Sequence, residues 1–133
     1  MRVLHALLCE NADSRPDGRL DVHGIFHQLF APGFPAQQDR IMLVVDVEWS
    51  AEEAGRQEFR IDLLDPTRSP ALTINGHTDV GVRGAMEPPQ LTRLLMPLEG
   101  VVFPAAGSYD FVLHAAGNEV PITVLHLIED PNA

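Results

Sequence analysis

Leu98-Glu99-Gly100-Val101-Val102-Phe103-Pro104-Ala105-Ala106-Gly107-Ser108-Tyr109-Asp110-Phe111-Val112-Leu113-His114 decides the fold class. An apolar run stops at a Pro/Gly corner, and a Tyr and a Phe then alternate with polar residues into a second strand. Alternation marks a half-buried β-strand, because successive side chains of an extended chain point to opposite faces. Such a corner is where one sheet of a β-sandwich hands the chain to the other. Gly107, Tyr109 and Phe111 are its structural residues.

Outward from this corner the same pattern recurs. Arg2–Glu10 reads as a strand closed by a polar loop that ends at Pro16-Asp17-Gly18. Arg19–Phe30 is expected as one strand with a bulge or close approach at Gly24. Ala31–Asp39, with Pro32, Gly33 and Pro35, is long enough to change sheets. Arg40–Trp49 is apolar on both parities in its first half and is expected at the centre of a sheet. Gln57–Leu64 alternates cleanly, and Ala71–His77 is a shorter strand. Gln90–Leu98 and Gly100–Phe103 form a strand broken by Pro97, which belongs at an edge or a bulge. Ser108–His114 and Val120–Ile128 form a closing hairpin whose Gly117-Asn118 pair supplies positive φ. Eight strand-like segments without a helical period predict an all-β, antiparallel, immunoglobulin-like β-sandwich. One domain spans residues 1–133, with Glu129–Ala133 as a frayed tail.

The composition narrows the function classes. The formal charge is −10, from 19 acidic residues against nine basic ones, all of them Arg. Phosphate neutralisation needs a cationic footprint, and these arginines are scattered singly, so no nucleic acid is expected. An anionic membrane surface repels the chain for the same reason. Cys9 stands alone, which excludes an internal disulfide and fits a reducing compartment. Met1–Cys9 has the outline of a lipoprotein signal, but its apolar run is short, His5 interrupts it, and Leu8 fills the position where cleavage wants a small residue. A cytoplasmic location is expected.

Leu98, Glu99, Gly100, Phe103, Pro104, Gly107, Tyr109 and Phe111, with Gly24-Ile25-Phe26 upstream, resemble a group of small single-domain bacterial proteins of unknown function from GC-rich genomes. The resemblance spans most of the chain and implies the sandwich, but carries no catalytic or ligand-binding residue. Tyr109 also resembles the tyrosine corner of immunoglobulin-like domains, whose hydroxyl bonds the backbone a few residues upstream.

Four constellations are candidates for chemistry. His23 and His27 have the spacing of a helical zinc pair, yet on a strand they lie ~13 Å apart, and Gly24 stands where a metalloprotease needs Glu. Cys9 and His5 share a strand face but exceed the reach that thiol activation needs. The carboxylates Glu10, Asp13 and Asp17, and Asp46, Glu48, Glu52 and Glu53, could line a calcium loop but lack its alternating pattern; a solvated acidic surface is the simpler reading. Trp49 is a core cap, or with Phe34 an exposed anchor for a sugar or a protein. No metal and no cofactor is expected, and Trp49, Phe34, His23 and His27 are the candidate interaction surface. The leading expectation is a non-enzymatic binding or scaffolding module for a protein partner, and a homodimer through apolar strands in excess of one core. The alternatives are a small-molecule or carbohydrate binder using Trp49 and loops, and a hydrolase or metal-dependent enzyme with His and carboxylates from several strands.

Overall fold

The alternating segments pair into two sheets. In the computed structural model, which describes Met1–Ala133, the strands are β1 (Arg2–Ser14), β2 (Leu20–Ile25), β3 (Gln28–Ala31), β4 (Ala36–Trp49), β5 (Gly55–Leu64), β6 (Pro70–Val80), β7 (Gln90–Phe103), β8 (Gly107–Ala115) and β9 (Asn118–Glu129). The only helical element is a 3-10 turn at Ala51–Glu53. Sheet A has the order β2-β1-β4-β7 and sheet B the order β3-β9-β8-β5-β6. The main core draws on both, with Leu43 and Val45 of β4 packed in one cluster with Ile61 of β5, Phe111 of β8 and Leu125 of β9. Full burial of each such apolar side chain is worth about 1.5–3 kcal/mol.

The Leu98–His114 corner behaves as its pattern predicts: β7 lies in sheet A and β8 in sheet B. Buried Tyr109 pins it. Its hydroxyl donates to the Ala105 carbonyl at 2.6 Å and accepts from the Ala105 N–H at 3.1 Å. The Phe103 ring meets the Tyr109 ring edge-on, with centroids 5.2 Å apart. Gly107 holds φ +134°, and a Cβ there would stand 2.8 Å from Pro66, so both conformation and space require glycine.

Several expectations need correction. Arg19–Phe30 is two strands: Gly24 takes φ +68°, β2 ends at Ile25, and the chain re-enters in sheet B as β3. The count is therefore nine, and the sandwich is not wholly antiparallel, because β3 pairs with β9 in parallel. In the closing hairpin, positive φ falls on Ala116 (51°) and Gly117 (73°), one position before the expected pair. The tail is also tied further than expected: β9 includes Glu129, and Asp130 N–H donates to the Ala31 carbonyl. β7 does lie at an edge, with Pro97 opposite Met42 of β4.

Candidate functional site

β1 changes partner half-way. Arg2–Cys9 pairs with β4, and Cys9–Ser14 pairs with β2. Beyond Cys9 the chain is a two-stranded ribbon, free to twist more strongly than the sheet it leaves. Its tip reaches far. Gly18, in the β1–β2 turn, accepts a hydrogen bond of 3.0 Å from Arg93 Nη1 on β7, at the opposite edge of sheet A. Adjacent strands lie about 4.8 Å apart, so this contact requires the ribbon to fold back over the outer face of β1 and β4.

That fold-back explains the second apolar parity of β4. Met42 and Val44 point away from the main core yet are 6% and 1% exposed, and form a separate cluster with Cys9. Leu20 and Val22 of the ribbon pack on this cluster, together with Leu7 and Leu95. Beside it lies an open cleft of about 490 Å³. Its floor is Leu7, Leu20, Val22 and Val44, and its rim carries His5, Arg15, Arg19, Asp21, Asp46 and Arg93. Three of the nine arginines of this acidic chain converge there.

Asp46 organises the rim. It is 3% exposed, lies between Val45 and Val47, and accepts from Arg93 Nε at 2.8 Å and Nη2 at 3.1 Å. The hydrogen bonds to Asp46 push the Arg93 guanidinium above its ordinary pKa, so it stays charged despite burial. Across the ribbon, Arg15 grips Asp21 through Nε (2.7 Å) and Nη2 (2.6 Å), and that hydrogen bonding holds the Asp21 carboxyl below its ordinary range. Arg19 has only a distant contact, 3.8 Å from Asp17, and its side chain is 77% exposed. The result is an apolar floor with one loosely paired cation at its mouth, suited to an apolar group that carries a negative charge.

Nothing in the sequence marked this cleft. Asp46 interrupts the run Ile41–Val47, but its partner lies 47 residues away and sequence spacing cannot connect them.

The chain matches a family model over residues 4–128. It belongs to DUF6941, a family of unknown function. No curated protein matches it. In this DUF6941 member the residues expected to form a surface do not meet. Trp49 is 3% exposed and donates its indole N–H to Thr92 Oγ1 at 2.9 Å, so it is the core cap and not an exposed anchor. Phe34 precedes the first residue of β4 and Trp49 is its last, which separates them by roughly 40 Å at the usual strand rise. Phe34 is half-buried against the core. His23 and His27 are exposed; His23 Nε2 lies 3.3 Å from Asp13, while His27 falls in the break after β2. Cys9 is fully buried, with Sγ 3.8 Å from the Met42 carbonyl, and burial pushes its thiol pKa up.

The carboxylates of the two suspected calcium loops are largely spoken for. Asp17 accepts from the Arg19 N–H, and Glu53 meets the Met1 amino group at 2.7 Å. On the outer face of sheet B, buried Asp62 accepts from Thr73 Oγ1 (2.8 Å) and Arg60 Nε (3.1 Å), with His114 Nε2 at 3.2 Å. Those contacts make Asp62 the satisfied hub of a cross-strand network.

Proposed function

We propose that this chain is a non-enzymatic binding module whose partner surface is the hairpin-covered face of sheet A. One observation carries the reading: the cleft beneath the β1–β2 ribbon joins an apolar floor to a rim holding Arg15, Arg19 and Arg93 on a chain of net charge −10. The partner is a protein that places an acidic side chain beside apolar ones, with Arg19 and His5 at the contact and the Arg93–Asp46 pair shaping the site. Charge of opposite sign at the mouth favours encounter and register, while the floor supplies buried area. Loss of the Trp49 anchor to the core leaves the carbohydrate reading without support.

The setting we infer is the cytoplasm of a bacterium with a GC-rich genome; an all-Arg basic set and one buried cysteine accord with it. No helix is long and apolar enough to cross a membrane. We read the architecture as immunoglobulin-like in outline, a view supported by the Tyr109–Ala105 bonds.

The test uses two baits in a lysate of the native host: the wild-type chain and His5→Glu/Arg19→Glu, both changed at exposed positions. A protein retained by the first and lost by the second is then purified and titrated against both. Binding at least about tenfold weaker (about 1.4 kcal/mol) is expected for the variant. Equal retention by both baits, or no specific retention by the wild type, refutes the proposal.

A further inference from the structure

Three of the four sheet edges carry a device that discourages further pairing. β2 has six residues with Gly24 at φ +68°, and β3 has four. β7 contains Pro97, and Gly100 at φ +63°. The β6 edge differs. From Leu72 to Val80 its register against β5 is unbroken, no proline intervenes, and Asp79 is its one charged residue. An edge strand offers a row of unpaired N–H and C=O groups, which folded chains normally blunt with prolines, bulges, charges or short length.

A second observation lies at the two ends of that edge. Where β6 begins, Ala71 and Leu72 face Leu98, Val101 and Val102 across a groove of about 320 Å³. Where it ends, the following loop leaves Val82 85% exposed and Met86 97% exposed. Single exposed apolar side chains are ordinary. An apolar groove at one end of an unpaired strand and apolar knobs at the other are self-complementary.

We propose that β6 pairs antiparallel with β6 of a second copy, about a two-fold axis at Gly76, making one continuous sheet through both chains. The unbroken stretch overlaps itself fully in a single register, with Leu72 opposite Val80 and Gly76 opposite its own counterpart. There, Asn75 faces His77 and Thr73 faces Asp79 on the outer face, so no like charges meet. Ile74 faces Thr78 on the inner face. Two residues past the strand end, Val82 of the second copy comes opposite Pro70, at the mouth of the groove. Such an isologous contact closes as a dimer and leaves no further β6 edge to extend a fibre. The contact is independent of the hairpin reading, because none of the groove residues lines the cleft beneath the β1–β2 ribbon.

Sedimentation of the full chain across the micromolar range is expected to show a dimer. Asn75 and His77 are exposed, so Asn75→Lys/His77→Lys leaves the fold intact by circular dichroism while setting two pairs of lysines face to face. Dimerisation is expected to weaken by about tenfold or more. In a separate variant, Asn75→Cys/His77→Cys, mild oxidation is expected to give a covalent dimer, with buried Cys9 left unreacted. A wild-type monomer at high micromolar concentration overturns the proposal. So does a dimer that the lysines leave unchanged and the cysteines fail to cross-link.

Discussion

Tyr109 and Ala116 carry opposite lessons about single residues. Tyr109 spends its hydroxyl on both backbone groups of Ala105, at the point where the chain changes sheets. Tyr109→Phe keeps the ring packing and strands those groups, so a loss of about 1–2 kcal/mol in urea unfolding is expected. A change below the error of the measurement would mean that water replaces the hydroxyl at no cost. Ala116 works against the fold. It holds φ 51° in a two-residue turn with Gly117, a conformation that penalises a Cβ and that Asn-Gly adopts readily. Ala116→Asn should therefore stabilise the chain, by about 0.5–1 kcal/mol, read in the same assay. Both residues lie in the last third of the sequence, where turn chemistry and alternation were most legible; the one-position error in the turn arose because Ala116 is not a residue that signals positive φ.

Among the elements, the β1–β2 ribbon is held over sheet A by the packing of Leu20 and Val22 and by Arg93, which bonds Gly18 and Asp46 at once. Asp46 is 5% exposed at its side chain and Arg93 29%, so the pair is only partly screened. Arg93→Ala leaves a buried carboxylate without its partner and frees Gly18. An expected loss of about 1–3 kcal/mol is smaller than for a fully buried pair because water reaches the arginine. Asp46→Val/Arg93→Leu removes both charges and should lose less than Arg93→Ala alone. In both variants the amides from Gly18 to Val22 are expected to exchange hydrogen faster, which marks the ribbon's release separately from global stability. Unchanged exchange would show that Leu20 and Val22 hold the ribbon without the latch. The pattern of β4 announced that both its faces are covered. It could not say by what, and the cover turned out to be a segment of the same chain.

For the whole molecule, acid is the informative perturbation. Three carboxyls are held below their ordinary values, which are 3.8 for Asp21 and Asp65 and 4.5 for Glu53. Arg15 hydrogen-bonds Asp21, and Thr67 and Ser69 donate to Asp65. Burial opposes the shift at Glu53, but bonds from the Met1 amino group and from Ser50 outweigh it. A carboxyl with a lowered folded pKa contributes stability above its unfolded value, and that contribution is lost as pH falls through the folded one. Urea midpoints are thus expected to hold from about pH 7 to about pH 5 and to fall below pH 4.5. A midpoint that rises in that range would mean that relief of self-repulsion, at a net charge of −10, dominates instead.

Periodicity two and the glycines and prolines between the runs determined that this chain is all β, where most strands lie, and that β7 passes its chain to another layer at Gly107. These are local properties, since the pleat sends alternate side chains to opposite faces whatever the partner strand. Tertiary structure alone decided the return of the β1–β2 ribbon over its own sheet, the pairing of Asp46 with Arg93, the burial of Trp49, and which edge was left open. Each of those depends on residues dozens of positions apart, brought together by sheet order and strand twist, and no spacing along the chain encodes that distance.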